Sequence, residues 1–293
     1  MRTINKIYSA PSKHWVGDGF YVSPLFSHMA DDKFTSPFLM LDYAMPQRFA
    51  PNEANPRGVG SHPHAGFETV TIALQGEVEH RDSAGNGGVI GTGDVQWMTA
   101  GRGIVHQEFH SERFSREGGV FEMVQLWVNL PAKDKNAAAG YQSIPAAKIP
   151  VCELADSEST KSVGSLRVIA GNYAGNKGAA HTFTELNMWE IDLNPNGKTV
   201  LTIPAEHNLM LVALRGNALI NNDKVARPTE LVTFKQEAGA ISLQAGDEAV
   251  KLLLLSGVPI DEPIAAHGPF VMNTRAELVE KFNAFNRGEF GAL

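Results

Sequence analysis

Residues 62–108 read HPHAGFETVTIALQGEVEHRDSAGNGGVIGTGDVQWMTAGRGIVHQE, a series of short apolar runs separated by glycine-containing turns. Within this stretch, residues 67–74 and 76–80 have the composition of strands, and DSAGNGG at 82–88 is typical of a turn that closes a hairpin. Many short strands joined by glycine turns indicate a β-sandwich or a β-barrel. The segment therefore predicts an all-β fold.

The same stretch begins and ends with a pair of polar residues at i and i+2 spacing. His62 and His64 form the first pair, and His106 and Glu108 form the second. Residues i and i+2 of a strand project to the same face. Pro63 removes a backbone donor, which predicts that its strand is irregular or lies at a sheet edge. Two such pairs on facing strands of a barrel would present three imidazole nitrogens and one carboxylate oxygen to one ion.

This ligand set predicts one bound transition-metal ion, at nitrogen and oxygen distances of about 2.0–2.2 Å. By affinity alone the set suits iron, nickel, copper, zinc and manganese almost equally. It leaves positions open if the metal takes five or six ligands, and an open position is typical of a catalytic site. Because imidazole binds a metal only when it is neutral, low pH should release the ion.

A second strand-rich region runs from about residue 166 to residue 258. It follows the alanine- and proline-containing segment 133–150, which we interpret as a connection between domains. The tripeptides LQG at 74–76 and LRG at 214–216 each precede a predicted hairpin. This shared pattern favours a duplicated β domain.

We therefore expect two domains, a metal-binding domain at 1–135 and a second domain at 136–293. Alignment of the two glycine tripeptides, and of Glu230 with Asp94, shows which residues of the second half stand where the first half has its ligands. They are Thr202, Pro204, Ser242 and Gln244. None of them is a plausible ligand for a first-row transition metal, so we expect the second domain to bind no metal.

The C-terminal residues have a helical pattern instead. Thr274 and Glu277 have the spacing of a capping box. Three apolar residues then recur on one helical face, namely Leu278, Phe282 and Phe285. Gly288 is well placed to end the helix. The sequence predicts one amphipathic helix over about 274–287 that covers a sheet.

Composition limits the classes of function. The formal net charge of the 293 residues is -7, which disfavours direct binding of nucleic acid. The one cysteine, Cys152, excludes an intrachain disulfide and a zinc site made of several thiolates. The N-terminus has no apolar stretch typical of a signal peptide, and no apolar run is long enough to cross a membrane. We expect a cytoplasmic protein that does not bind membranes.

The segment 62–108 resembles the signature of the pirin family, and so do QLWVNLPAKDK at 125–135 and GPFVMNT at 268–274. The resemblance runs from about residue 15 to the C-terminus. It implies a bicupin, that is, two tandem jelly-roll β-barrels with one metal in the N-terminal barrel. The implied ligands are His62, His64, His106 and Glu108. The resemblance implies Fe(II) as the preferred metal, with nickel, copper, zinc, manganese and cobalt as alternatives.

One position departs from the general cupin pattern. Typical cupins take a glutamate of the first motif as a ligand, and that residue would be Glu68 here. In pirin-like proteins the carboxylate comes from the second motif, which is Glu108. The resemblance therefore gives Glu68 a structural or orienting role, such as holding a histidine.

The resemblance implies two alternative functions. Bacterial pirin-like proteins are often quercetin 2,3-dioxygenases (quercetinases), which open a flavonol ring with O2 and release carbon monoxide. The metal would act as a Lewis acid, and Glu108 would accept the proton of the flavonol hydroxyl. The alternative is a redox-sensing regulatory protein that binds a protein partner. We favour the enzyme, acting as a monomer on a small aromatic substrate and O2.

Overall fold

The computed structural model describes residues 1–28, 34–156 and 159–293. This part of the chain consists mainly of β-strands. Up to the loop at 130–139, the strands are β1 (Ile4–Ser9), β2 (His14–Val16), β3 (Phe20–Ser27), β4 (Phe38–Phe49), β5 (Gly58–His64), β6 (Phe67–Gln75), β7 (Val78–Asp82), β8 (Gly87–Ile90), β9 (Val95–Thr99), β10 (Ile104–His110) and β11 (Gly119–Asn129).

The remaining strands are β12 (Gly140–Ile144), β13 (Val151–Ala155), β14 (Ser162–Ala170), β15 (Asn172–Tyr173), β16 (Asn176–Lys177), β17 (Leu186–Leu193), β18 (Lys198–Thr202), β19 (Asn208–Arg215), β20 (Ala218–Ile220), β21 (Lys224–Ala226), β22 (Glu230–Phe234), β23 (Ala240–Ala245), β24 (Val250–Gly257), β25 (Ala265–His267) and β26 (Phe270–Met272). The described helices are α1 (Glu112–Glu117) and α2 (Arg275–Asn286), with short 3-10 turns at Ala132–Asp134 and Ala146–Lys148. None of these helices has both the length and the apolar character that a membrane crossing requires.

The chain forms two compact units, and each takes a segment from the opposite end of the sequence. The N-terminal barrel unit comprises Ser12–Pro24, Phe38–Ala146 and Ile260–Leu293. The C-terminal barrel unit comprises Met1–Pro11, Leu25–Pro37 and Ala147–Pro259. The consecutive division predicted from sequence, 1–135 and 136–293, differs from these units at both termini. The difference arises because β1 pairs with β22 and because the last 34 residues group with the first barrel.

The two units repeat one sheet topology, which confirms the predicted bicupin fold. The N-terminal barrel unit has a seven-stranded sheet of order β12-β9-β6-β11-β4-β3-β2 and a four-stranded sheet of order β5-β10-β7-β8. The C-terminal barrel unit has the orders β1-β22-β19-β24-β17-β14-β13 and β18-β23-β20-β21. The glycines of the two matched tripeptides, Gly76 and Gly216, both have positive φ values, 83° and 69°. Glycine adopts this conformation without strain, so it serves the same turn in both units.

The segment 133–150, predicted to connect two domains, also contributes a strand to the N-terminal barrel unit. Residues 140–144 form β12, which pairs with β9 and extends the larger sheet of the N-terminal barrel unit. In the C-terminal barrel unit the strand in the equivalent outer place is β1. The sequence did not predict this strand, because residues 140–144 alternate only weakly between apolar and polar residues and form their hydrogen bonds with β9, which is distant in the sequence.

The C-terminal segment packs against the loop that follows β5 in the N-terminal barrel unit. Ala65, directly after β5, exchanges backbone hydrogen bonds with Pro269 and Val271 at 3.3 and 3.0 Å. The buried ammonium of Lys135 donates to the carbonyl oxygens of Gly66 and Val271 at 2.9 and 3.0 Å. This lysine therefore fixes the C-terminal hairpin to the loop that follows β5.

The predicted C-terminal helix is confirmed with its cap. Thr274 Oγ1 accepts from the backbone N–H of Glu277, and the Glu277 carboxylate accepts from the backbone N–H of Thr274. Helix α2 packs on the β25–β26 hairpin through Phe282, whose ring centroid lies 4.7 Å from that of Phe270. The helix thus covers a sheet, as its apolar face predicts.

Candidate metal centre

The four predicted ligands lie on two hydrogen-bonded neighbours, β5 and β10. His62 and His64 are on β5, and His106, directly opposite His62, is on β10 together with Glu108. The sequence predicted facing strands, whereas the structure places both pairs on adjacent strands of one sheet. Strand β5 is the edge strand of that sheet, as expected from Pro63.

The rings of three histidines meet at one point. His62 Nδ1 lies 2.7 Å from the carbonyl oxygen of Gly60, and His64 Nδ1 lies 3.4 Å from that of Pro269. A carbonyl only accepts hydrogen bonds, so the proton of each ring sits on Nδ1 and a lone pair remains on Nε2. One ring nitrogen from each of His62, His64 and His106 lies within 4.8 Å of the others. Three lone pairs can therefore converge on one ion.

A chain of hydrogen bonds sets the proton position of His106. Its Nδ1 lies 3.4 Å from Nδ1 of His80, and Nε2 of His80 lies 3.3 Å from a carboxylate oxygen of Asp82. Asp82 also accepts from the backbone N–H groups of Ala84 and Asn86. A carboxylate accepts, so His80 Nε2 donates to it and His80 Nδ1 accepts from His106 Nδ1.

This assignment leaves the lone pair of His106 on Nε2. That atom is buried and has no hydrogen-bond partner among the described residues. A buried nitrogen without a partner is costly unless something binds it, and a metal ion is what the donor set fits. His80 itself has no lone pair left, so it orients His106 rather than binding the ion.

Glu108 lies beside His106 but outside the group of three histidines. A carboxylate oxygen of Glu108 groups within 4.8 Å with ring nitrogens of His106 and His80. Its Oε1 accepts from Thr71 Oγ1 at 3.1 Å and from Gln96 Nε2. No described residue donates to Oε2. One carboxylate oxygen of Glu108 therefore lies next to His106, the histidine that belongs to both groups, and the Glu108 side chain is held by Thr71 and Gln96.

Burial sets the charge state of these side chains. It lowers the pKa of His64 to about 3, and the pKa values of His62 and His106 are lowered for the same reason. The imidazoles are therefore neutral near pH 7, which is the form that binds metal. Burial raises the pKa of Glu108 to about 7, against the hydrogen bonds from Thr71 and Gln96. A cation at the site would lower that pKa again.

A cavity of about 250 Å³ opens beside the histidines. Its polar lining includes His62, His64 and Glu108, and its apolar lining includes Phe20, Val22, Met40, Met123 and Trp127. Its volume lies slightly below the range of about 300–1,000 Å³ that is typical of ligand pockets. It suits a small aromatic ligand, or one end of a larger one, with its polar end toward the histidines.

Sequence reasoning did not assign His80 to this site. His80 has no partner at ligand spacing in the sequence, yet the pairing of β7 with β10 puts it directly opposite Glu108. The i and i+2 spacing of His80 and Asp82 on a strand was the signal that pointed to it. Glu68 lies outside both ligand groups, as expected, but its carboxylate accepts from Thr99 Oγ1 at 2.8 Å and not from a histidine.

Two family models match the chain. Residues 19–128 match the family model for pirin, and residues 188–291 match the model for the pirin C-terminal cupin domain. The chain belongs to the pirin family. A Pseudomonas aeruginosa relative named "Putative quercetin 2,3-dioxygenase" is 47% identical over 290 residues, which cover 99% of both chains.

Solved structures of pirins and related proteins extend the comparison. A crystal structure of quercetin 2,3-dioxygenase from Acinetobacter baumannii superposes with a TM-score of 0.94 at 49% identity, over 100% of this chain and 99% of that one. A bacterial pirin from Escherichia coli, in complex with nickel(II), gives a TM-score of 0.62 at 22% identity, covering 87% and 100% of the chains. The latter likeness shows the fold alone.

The C-terminal barrel unit has a different polar group. On β23 Ser242 lies opposite Val200, and Ala240 lies opposite Thr202. With Ser242 at the place of His106, Val200 and Thr202 therefore stand where His62 and His64 stand, two residues earlier than the sequence alignment placed them. The interior of this unit is an apolar cluster that includes Leu211, Val232 and Leu254. A group of Glu185, Glu206 and His207 lies in this unit, with both carboxylates exposed. His207 Nε2 lies 3.4 Å from Glu185, which is the geometry of an ion pair.

Proposed function

We propose that the chain is a metal-dependent dioxygenase that opens the central ring of quercetin-like flavonols with O2 and releases carbon monoxide. The observation that carries this proposal is the cavity beside the converging histidines. A metal that only holds a fold together is closed off by its ligands, whereas a catalytic metal keeps an accessible position. The accessible cavity favours catalysis over the regulatory alternative, which requires none.

We propose further that His62, His64, His106 and Glu108 hold one divalent ion. The tautomers fit, since Nε2 carries the lone pair in all three rings and one carboxylate oxygen stands next to His106. Fe(II) is the preferred ion by family resemblance, and nickel, copper, zinc, manganese and cobalt suit the same donors. When bound, the ion supplies Lewis acidity that lowers the pKa of the flavonol 3-hydroxyl.

Glu108 would accept the proton of that hydroxyl. Gln96 Nε2 donates to Oε1, Thr71 Oγ1 lies 3.1 Å from the same oxygen, and no described residue donates to Oε2, so Oε2 is available for the new O–H bond. A cation beside Glu108 favours its carboxylate form, which is the form that accepts the proton. The apolar walls exclude water from the resulting flavonolate and leave it to react with O2.

The aromatic wall would orient the substrate. The Trp127 ring centroid lies 4.2 Å from that of Phe67 and 5.3 Å from that of His64, so two rings pack against the indole and hold its orientation. Such a rigid aromatic surface beside a metal is suited to a flat ring system.

The test is turnover of quercetin by protein loaded with Fe(II) under nitrogen and then exposed to O2. We expect loss of flavonol absorbance together with release of carbon monoxide, and a decrease in kcat of about 100-fold or more in Glu108→Gln, as is typical for the loss of a general base. Metal content is measured on the same samples. Fully loaded protein that leaves quercetin intact would show that this activity is not the function.

A further inference from the structure

Asp42 is a buried carboxyl on the wall of the cavity beside the metal centre. It is 9% exposed and lies on β4, next to Met40 in the cavity lining. It accepts no hydrogen bond and forms no ion pair among the described residues, and His14 is the charged group that acts on it. Burial raises the pKa of Asp42 to about 6, against the attraction of His14.

Asp42 ends a row of polar residues that crosses the larger sheet of the N-terminal barrel unit. Asp42 lies opposite Gln125, Gln125 opposite Thr71, and Thr71 opposite Gln96, on the adjacent strands β4, β11, β6 and β9. Directly opposite residues project to the same face of a sheet. The other three residues of the row are joined by hydrogen bonds of 2.8 and 3.0 Å, and two of them hold Glu108.

The row therefore offers two acceptors to the cavity. One is the Glu108 carboxylate at the metal centre, and the other is Asp42. Gln125 of the row also lines the cavity, and the rest of the lining is largely apolar, with Phe20, Val22 and Trp127 among its walls. A ligand that fills the cavity removes solvent from the Asp42 carboxylate, and an acceptor left without a donor in such a place is costly. In an accessible cavity, the missing donor is one that a ligand supplies.

We propose that Asp42 determines the substrate specificity of this cavity by accepting a hydrogen bond from a second hydroxyl group of the substrate. The first hydroxyl is the one that faces the histidines and Glu108, and for that end the inference rests on the proposed function. The substrate class is thus an aromatic compound with at least two hydroxyl groups, one that faces the histidines and one that faces Asp42. A ligand with a single hydroxyl leaves Asp42 without a donor.

The experiment is an anaerobic binding titration of metal-loaded protein with two flavonols. Quercetin carries hydroxyls on its outer rings, and 3-hydroxyflavone carries only the hydroxyl at carbon 3. We expect Asp42→Leu to weaken quercetin binding by about tenfold or more, the effect of a lost hydrogen bond to a charged group. Binding of 3-hydroxyflavone should stay unchanged. Asp42→Asn, which keeps an acceptor oxygen, should retain part of the preference.

Met123→Leu is the matched control, because Met123 lines the same cavity and offers no comparable acceptor. It should keep the wild-type ratio of the two affinities, and metal content and thermal unfolding confirm that each variant is folded and loaded. An equal loss for both ligands in Asp42→Leu, no loss for either, or no binding of either flavonol to wild-type protein overturns the inference. If discrimination is found without turnover in air, the proposed function fails and the inference stands. If turnover is found without discrimination, the inference fails alone.

Discussion

Replacement of His80 by phenylalanine tests the hydrogen-bond chain behind the metal centre. The ring of His80 stacks on Tyr141 with centroids 4.7 Å apart and an interplanar angle of 14°, and phenylalanine preserves this contact. Asp82 keeps its donors from Ala84 and Asn86. The change therefore removes mainly the acceptor for His106 Nδ1, and it frees that ring to rotate or to change tautomer.

The size of the effect follows from that single lost contact. Removal of a group that orients a metal-binding histidine reduces metal affinity about 10–100-fold. This corresponds to about 1.4–2.8 kcal/mol of binding free energy. His106 Nε2 still faces the centre, so we expect weakened binding and not its abolition.

The assay is competition for Ni(II) or Mn(II) with a metal-sensitive fluorescent chelator, which reads affinity without any turnover. His110→Phe is the matched control. His110 is a buried histidine of β10, the strand of His106, and its Nε2 lies 3.0 Å from the carbonyl oxygen of Gly19, away from both ligand groups. We expect the control to bind metal like the wild type. An unchanged affinity in His80→Phe, or an equal loss in both variants, would refute the role of His80.

Two further predictions concern stability. Burial raises the pKa of Glu68 from 4.5 to about 7, so wild-type protein loses stability as the pH rises through this range and the carboxyl ionises. The free energy of unfolding of metal-free Glu68→Gln, relative to that of wild type, should therefore increase by up to about 3 kcal/mol between pH 4 and pH 8. Urea unfolding at both pH values measures this, and a difference independent of pH would contradict it. Lys135→Met leaves three acceptor oxygens without a donor and should lower the free energy of unfolding by about 2–4 kcal/mol. Lys133 is exposed, so Lys133→Met should change the free energy of unfolding by less than about 0.5 kcal/mol. Equal effects of the two lysine substitutions would refute the stabilising role of Lys135.

The sequence predicted those parts of the fold and site that local spacing encodes. Strands β6 and β7 were identified from their composition, because each lies next to a glycine-containing turn. Helix α2 was identified from its capping box and apolar face. The pair at positions 62 and 64 projects to one face because alternation along a strand is a local property.

What the sequence did not predict depends on pairing between distant segments. Nothing local in β1 indicates that it pairs with β22, more than 200 residues away. The row that ends at Asp42 exists only once β4, β11, β6 and β9 are placed side by side. His80 gained its role in the same way, since register on β10 and not its own neighbours brings it to His106.

We propose that three histidines and one carboxylate hold one ion. Anomalous diffraction from crystals of metal-loaded protein, collected at the absorption edge of the metal, tests this assignment most directly. We expect one peak per chain, about 2.0–2.2 Å from Nε2 of His62, His64 and His106 and from a carboxylate oxygen of Glu108. A peak bonded to His80, a peak without Glu108, or a principal peak in the C-terminal barrel unit would contradict it.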